Sequence, residues 1–515
     1  MSHQDGNFAR ALESVADHHP HRDCLVLDVP GQGDGEARAD TWTYGDLTRW
    51  SRLMAGALQS LGVVPGDRVL VQVDKSAHAV ALYLGCLRLG AVYVPLNTAY
   101  TDAEVDYFVG DAEPKVYVRR DDDGARFASV PMSIVTLGAE GAGSLTDVAT
   151  EAEPFTGIVG REPGDIAAIV YTSGTTGRSK GAMLTHHNLD SSARVLTSAW
   201  GWRDDDVLLH ALPIFHVHGL FVALHCALLN ATPMIFLPRF DAARVAAALP
   251  HASVMMGVPT FYTRLLEHPE VDRQRCAGVR LFVSGSAPLT EATFAAWEAR
   301  TGHRILERYG MSETMMNTSN PLDGDRVPGT VGFPLPGVEV RMAAEDGRLV
   351  EPGEVGVIEV RGPNVFAGYW RMPEKTAEEF RDDGFFITGD LGIMDPEGRV
   401  SIVGRAKDLI ISGGYNVYPK EIERLLDEMP GVVESAVIGV PHPDLGEGIV
   451  AVLVAERSDI DLTAVRGMLA ARLARFKQPK AVVHVEVLPR NAMGKVQKTD
   501  LKRRFENVFS PAAAR

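Results

Sequence analysis

The feature that most constrains this chain is a repeated alternation. Short apolar runs, each closed by Gly, Pro or Ser, are separated by longer stretches of helical period. Asp67-Arg-Val-Leu-Val-Gln-Val, Ala91-Val-Tyr-Val-Pro, Ile166-Ala-Ala-Ile-Val-Tyr, Met234-Ile-Phe-Leu, Ser253-Val-Met-Met-Gly-Val and Val279-Arg-Leu-Phe-Val-Ser are such runs. Runs that are apolar on both faces suit strands covered on both sides, so the expected class is α/β with buried sheets. Residues 1–65 read as helical with a polar insertion at 30–40. Gly219–Leu237 is broken by His225, Asn230 and Pro233, and reads as a buried helix followed by a strand rather than a membrane span.

The texture changes near residue 329. Gly329–Gly362 is dense in Gly and Pro with short alternating strands, which predicts a small β-rich subdomain. After Gly404-Arg-Ala-Lys-Asp the pattern becomes strand (408–412), helix (419–429), two strands (434–440, 448–454) and helix (463–476), a compact α+β unit. The 515 residues carry a formal net charge of −16, which disfavours nucleic-acid binding. Cys24, Cys86, Cys226 and Cys276 have neither CxxC nor disulfide-framework spacing, and the first thirty residues lack an apolar signal core. A cytoplasmic protein that does not engage membranes is expected.

One segment carries obvious chemistry. Tyr171-Thr-Ser-Gly-Thr-Thr-Gly-Arg-Ser-Lys-Gly-Ala follows an apolar strand directly. Its consecutive hydroxyl and glycine positions offer N–H and O–H donors to phosphate oxygens, and Lys180 adds a point charge. Gly174 and Gly177 are too closely spaced for a Walker A loop. Glu313 follows a tight Gly-Met-Ser turn; a carboxylate beside a polyphosphate needs an intervening cation, which suits Mg²⁺. His216 and His218 could share one face of a strand, but no third ligand lies near in sequence, so a zinc site is not expected.

Thr172-Ser-Gly-Thr-Thr-Gly-Arg-Ser-Lys-Gly resembles the phosphate loop of the adenylate-forming superfamily, which comprises acyl-CoA synthetases, adenylation domains and luciferases. Ser179 departs from it, since the family often has proline there. Further family segments follow in order: Phe215-His-Val-His-Gly, Gly285-Ser-Ala-Pro, Tyr309-Gly-Met-Ser-Glu-Thr, Thr388-Gly-Asp, Gly404-Arg-Ala-Lys-Asp and Pro489-Arg-Asn-Ala-Met-Gly-Lys. The resemblance implies an N-terminal domain of stacked α/β subdomains over 1–404, a hinge at 405–407 centred on Lys407, and a mobile C-terminal domain over 408–515. It implies ATP, Mg²⁺ and coenzyme A as co-substrates or cofactors.

By the same resemblance, Thr172, Ser173, Gly174, Thr175, Thr176, Gly177 and Lys180 bind phosphates, and Thr172 and Glu313 hold the metal. Gly285, Ser286, Ala287 and Pro288, with Glu307, Arg308, Tyr309, Gly310, Met311 and Ser312, surround adenine and ribose, Tyr309 stacking on the base. Asp390, assisted by Arg405, takes the ribose hydroxyls. Lys495, which alone would read as a solvated lysine, matches the catalytic lysine between acyl carboxylate and α-phosphate. His216 matches a gate beside the acyl carboxylate, and Ser412, Gly413 and Gly414 match the approach of the thiol's pantetheine arm.

The acyl pocket is where such families diverge. The strings around His216, Pro259, Tyr309, Tyr415 and Lys495 resemble malonyl-CoA synthetases, implying a small dicarboxylate, malonate or methylmalonate, with Val217 and Met311 shaping the space at C2. A second carboxylate calls for a cation. Arg280, opening the strand that ends at Ser284, is the expected one, with Ser284 also expected at the acyl substrate, and Arg239 a lesser candidate. Other small or aryl acids, loading of a carrier protein, and a catalytically dead nucleotide-binding protein are the alternatives. Monomer and homodimer both stay open.

Overall fold

The computed structural model describes residues 6–28, 40–120, 131–172, 179–455, 462–490 and 495–510. The phosphate-loop positions Ser173, Gly174, Thr175, Thr176 and Gly177 lie outside the described residues. Two large sheets dominate. One has nine strands, in the order Phe333–Pro334, Thr318–Ser319, Leu306–Tyr309, Leu281–Ser284, Val254–Gly257, Leu208–His210, Met234–Phe236, Asp23–Val26 and Thr41–Thr43. Its centre is parallel and its edges antiparallel. The other has six strands, in the order Ser133–Thr136, Val116–Arg119, Arg68–Gln72, Val92–Pro95, Ile166–Thr172 and Lys180–Thr185, parallel except for the last pair.

The period-two alternation of each strand sorts side chains between layers. Val69, Val71 and Tyr93 enter a core shared with Leu208, Met234, Val254 and Val283 of the other sheet, while Leu70, Val92 and Val94 face a separate outer core. Helices Tyr44–Ser60, Ala77–Leu89 and His186–Ala199 contribute to the shared core. Their starts are set locally: Thr43 with Asp46, and Thr185 with Asn188, each form a reciprocal capping box. The free outer face of the nine-stranded sheet packs Phe282, Tyr262 and Trp297 edge to face.

A four-stranded antiparallel sheet follows, Glu339–Ala343, Val355–Arg361, Phe386–Met394 and Val400–Arg405, as the Gly/Pro-dense texture predicts. Beyond it a five-stranded sheet carries a core on each face, one covered by helices Pro419–Asp427 and Leu462–Arg472 and the other by Lys498–Phe505. The N-terminal region corrects the helical reading of 1–65: Asp23–Val26 and Thr41–Thr43 are strands. Among the described residues, no helix is long and apolar enough to cross a membrane.

The fold also overturns the expectation for Arg280. Strands Val254–Gly257 and Leu281–Ser284 run parallel, so Arg280 lies at their amino ends, roughly 13 Å of strand from Ser284. There its guanidinium grips Asp206 through Nε (2.8 Å) and Nη2 (2.5 Å) and donates to the carbonyls of Trp200 and Gly201. Burial would raise the Asp206 carboxyl, but Arg280, the Ser253 hydroxyl and the Arg203 N–H outweigh it and hold it below the usual carboxylate range. This cation is already matched by an anion and is structural. Arg280→Met is expected to destabilise the protein by about 3 kcal/mol in urea denaturation at pH 7, since it leaves a buried carboxylate alone. The acid-substrate KM should stay within about twofold. A depressed folded pKa contributes stability above the unfolded value and loses it as pH falls. The gap between the two proteins should therefore shrink below about pH 4.

Candidate active site

Parallel strands end on one edge of a sheet, and the loops leaving that edge form a crevice. In the six-stranded sheet Ile166–Thr172 ends at Thr172, and the partner strand returns from Lys180; in the nine-stranded sheet two more strands contribute. Leu281–Ser284 and Leu306–Tyr309 deliver Gly285 and Gly310. The antiparallel sheet supplies the far wall, because Asp390 and Arg405 are register partners.

The nucleotide side is a chain of paired groups. Asp390 accepts from the Tyr309 hydroxyl at 2.6 Å on one oxygen and meets Arg405 Nε at 2.7 Å on the other. Glu313 is buried and accepts from the hydroxyls of Thr172 and Tyr369, both at 3.2 Å. Burial pushes its carboxyl above the usual range, against the pull of Lys180, Arg405 and Thr172. Tyr369 also donates to Glu379 at 2.7 Å, and Glu379 holds the Lys180 ammonium at 2.9 Å. One buried carboxylate with a neighbouring hydroxyl is a donor set that suits Mg²⁺ shared with substrate phosphates, since this ion keeps most of its shell in water and phosphate oxygens. Glu307 lies behind the crevice; its Oε1 accepts from the Leu289 N–H, and burial pushes its carboxyl up to about 8.

Lys495 reaches this crevice from the far end of the chain. It stays accessible to solvent, yet enough protein surrounds it to pull its ammonium below the ordinary lysine range. Burial leads, and the charge of Arg405 adds; Asp390 and Glu313 oppose. The same lysine acts on His216, whose ring burial lowers to about 3, with Lys495 and Arg308 adding.

His216 and His218 are not on a strand. They sit at a turn that opens into a wide π-helical turn, His218–Ala223, so the expectation of a shared strand face fails. Gly219 permits that turn, because a Cβ there would lie 2.0 Å from the Pro213 carbonyl oxygen. The His216 Nδ1 accepts from the His218 N–H at 3.3 Å, which leaves the proton of the neutral ring on Nε2. His218 is buried, its Nδ1 is 3.3 Å from Ser286 Oγ, and its Nε2 has no partner among the described residues. Ser286 itself has a left-handed backbone, φ 69°.

Arg308, expected around the nucleotide, packs its guanidinium on Gly285, where a Cβ would come within 2.5 Å, and its charge also acts on both His216 and His218. It is 3% exposed, and its Nε and Nη2 have no hydrogen-bond partner among the described residues; burial pulls it down to about 10. The Ser284 hydroxyl, fully buried, is likewise unmatched. Val217 is buried nearby in sequence and Met311 is half-buried, whereas Arg239 is exposed on the loop after Met234–Phe236. Ala287 is half-buried, as are Gly310 and Ser312, and Pro288 is exposed. Ser412 is buried; Gly413 and Gly414, both with positive φ, form the two-residue turn of the hairpin Ile410–Ser412/Tyr415–Val417. Lys407 is exposed in the turn Ala406–Asp408. Tyr369 and Glu379 were not anticipated, since an aromatic and one of two adjacent glutamates carry no motif of their own.

Comparison with known proteins places this geometry in a family. The model of AMP-binding enzymes matches residues 12–370, and that of the AMP-binding enzyme C-terminal domain matches 421–495. The chain belongs to the AMP-binding enzyme family. It is 38% identical to a malonate–CoA ligase of Arabidopsis thaliana over 92% of this chain and 86% of that protein. It is also similar to the crystal structure of ATP-bound MatB from Rhodopseudomonas palustris, with 51% identity, TM-score 0.94, and 98% and 100% of the two chains covered. The apo structure of the same MatB, with the same identity and coverage, matches at 0.83. In overall structure this chain is thus more similar to the ATP-bound form than to the apo form.

In this arrangement Glu379 occupies the Lys180 ammonium, so a phosphate must displace a carboxylate to reach it. Burial would raise the Glu379 carboxyl, but the Tyr369 hydroxyl and Lys180 hold it low and charged. Glu379→Gln is expected to lower the KM for nucleotide by about threefold, the scale of one partly exposed ion pair, with no change in KM for the acid. Steady-state kinetics with nucleotide varied at saturating acid would show it, and a raised KM would contradict it.

Proposed function

We propose that this protein is a malonyl-CoA synthetase. It would join malonate to ATP, giving malonyl-adenylate and pyrophosphate, and then transfer the malonyl group to coenzyme A with release of AMP. The observation that carries the diacid is Arg308: a buried guanidinium with two N–H donors unmatched, beside the unmatched Ser284 hydroxyl and His218 ring nitrogen. A buried charge without an anion is costly, so the pocket is built for one. Malonate offers a carboxylate that does not react and fits that role. The malonate–CoA ligase relative and the MatB likeness agree with this reading.

In the first half-reaction the reacting carboxylate of malonate lies between His216 and Lys495. The Nε2–H of the neutral His216 donates to it and orients it without adding a charge that would blunt its nucleophilicity. Lys495 faces the carboxylate and the α-phosphate together, so its charge gains most when the attacking oxygen and phosphorus are partly bonded. Thr172, residues 173–177 and Lys180 hold the polyphosphate, and Mg²⁺, held by Glu313 with Thr172, would offset its charge. Asp390 and Arg405 take the ribose, and Tyr309 and residues 285–288 the base.

The second half-reaction needs Lys495 out of the way and a thiol in its place. We assign that change to rotation of the segment 408–515 about Lys407. It brings Ser412, Gly413 and Gly414 toward the pantetheine arm, where the glycines present backbone without side chains.

A substrate panel tests the reading. With ATP, Mg²⁺ and coenzyme A present, AMP release is expected to be strongest with malonate or methylmalonate and weak with acetate, octanoate and 4-coumarate. Arg308→Gln should lower kcat/KM for malonate about a hundredfold, the cost of about 3 kcal/mol for a desolvated carboxylate losing its charged partner. Preference for a monocarboxylate, or an unchanged malonate KM in Arg308→Gln, would overturn the diacid pocket. In Lys495→Gln, pyrophosphate exchange should fall by about 10² or more.

A further inference from the structure

Lys75 lies in the loop before helix Ala77–Leu89, at the end of the strand Arg68–Gln72 of the six-stranded sheet. It crosses to the nine-stranded sheet. Its Nζ is 2.8 Å from His210 Nδ1 and donates to the His210 carbonyl at 2.7 Å, and it rests over the Phe236 ring at 4.1 Å. Among the described residues no carboxylate pairs with it. An ammonium placed there without an anion is expensive, and burial pulls it well below the ordinary lysine range. An apolar residue over Phe236 would leave the buried His210 Nδ1 without its donor.

His210 passes the contact on. With Nδ1 accepting from the ammonium, Nε2 carries the ring proton and donates to the Gly219 carbonyl at 2.9 Å. Gly219 is the second residue of the π-helical turn His218–Ala223, and its carbonyl also receives the N–H of Leu224. The turn is what aims His218 at Ser286 and sets His216 beside Lys495. Electrostatically the same groups form a column, each acting on the next: Lys75 on His210, His210 on His218, and Arg308 on His218 and His216.

We propose that Lys75 is a positioning and specificity residue for the acid substrate. It fixes the His210 tautomer that pins the π turn, and it supplies a donor and a positive charge at His210, one residue back from His218 in the column. Its anion is the carboxylate of the substrate that does not react, felt across His210 and His218 rather than touched. This rests on the diacid reading above, and it adds a residue from the other sheet that neither motif nor pocket lining contains.

The test uses the full-length enzyme with Lys75→Gln, which keeps a donor for His210 and removes the charge, and Lys75→Arg, which keeps both. Melting temperature confirms that each is folded. Malonate KM, kcat, and the Ki of propionate as a monocarboxylate competitor are measured at saturating ATP and coenzyme A. In Lys75→Gln the malonate KM is expected to rise about tenfold, with kcat and the propionate Ki within about threefold of the parent. Lys75→Arg should restore the malonate KM to within about threefold. Equal losses for malonate and propionate, or a fall in kcat without a KM change, would show a structural lysine and overturn the inference, as would an unchanged KM. If the parent enzyme does not turn over malonate, the diacid reading itself fails; if it does and the variants do not differ, only the role of Lys75 fails.

Discussion

The crevice depends on strands of the two large sheets whose carboxyl ends carry its groups. Thr172, Gly285 and Gly310 each lie at or just beyond the last residue of a strand. Those strands are buried on both faces, so their ends have little freedom to shift. The crevice inherits that rigidity: groups that must meet a phosphate, a base and a carboxylate within fractions of an ångström are carried by the stiffest part of the molecule. The same constraint explains Arg280. A residue at the amino end of a strand is a strand's length away from the chemistry, whatever its charge.

Within the crevice the charges divide into two regions. On the nucleotide side cations and anions alternate: Arg405 with Asp390, Lys180 with Glu379, and Glu313 between two hydroxyls. On the acyl side the described ion pairs include none to Arg308, which sits near two neutral histidines with Lys75 at His210 beyond them; the adjacent buried Glu307 acts on it only at a distance. The first arrangement holds its shape before substrate arrives and exchanges partners when it does. The second is incomplete without an anion, and that incompleteness is the strongest physical statement the molecule makes about its substrate. Lys495 stands where the two regions meet, acting on His216 from one side and Asp390 and Glu313 from the other.

Much of the fold was legible in the chain itself. Apolar runs such as Ile166–Tyr171 and Ser253–Val258 became buried strands within a residue or two of their expected bounds, because burial on both faces leaves no polar position to confuse the pattern. The strands Asp23–Val26 and Thr41–Thr43 were not legible. They are short, at or next to a sheet edge, and polar in part; Asp23–Val26 exists because Met234–Phe236 offers it a partner, and Thr41–Thr43 pairs in turn with Asp23–Val26. The candidate site residues in contiguous motifs carry a local signal, while Tyr369, Glu379 and Lys75 meet partners far away in sequence and carry none.

The sequence by itself therefore determined the α/β class and the family, since period, glycine spacing and hydroxyl runs are local properties. Only the tertiary structure decided which arginine is already matched by a carboxylate and which is left open. Arg280 and Arg308 belong to adjacent parallel strands and look equally available in one dimension. The position along the strand and the presence of a buried carboxylate separate them: Asp206 neutralises Arg280 at one end of the sheet, and no carboxylate among the described residues pairs with Arg308 at the other. Which charges cancel is a matter of distances between strands, and the chain does not write those distances down.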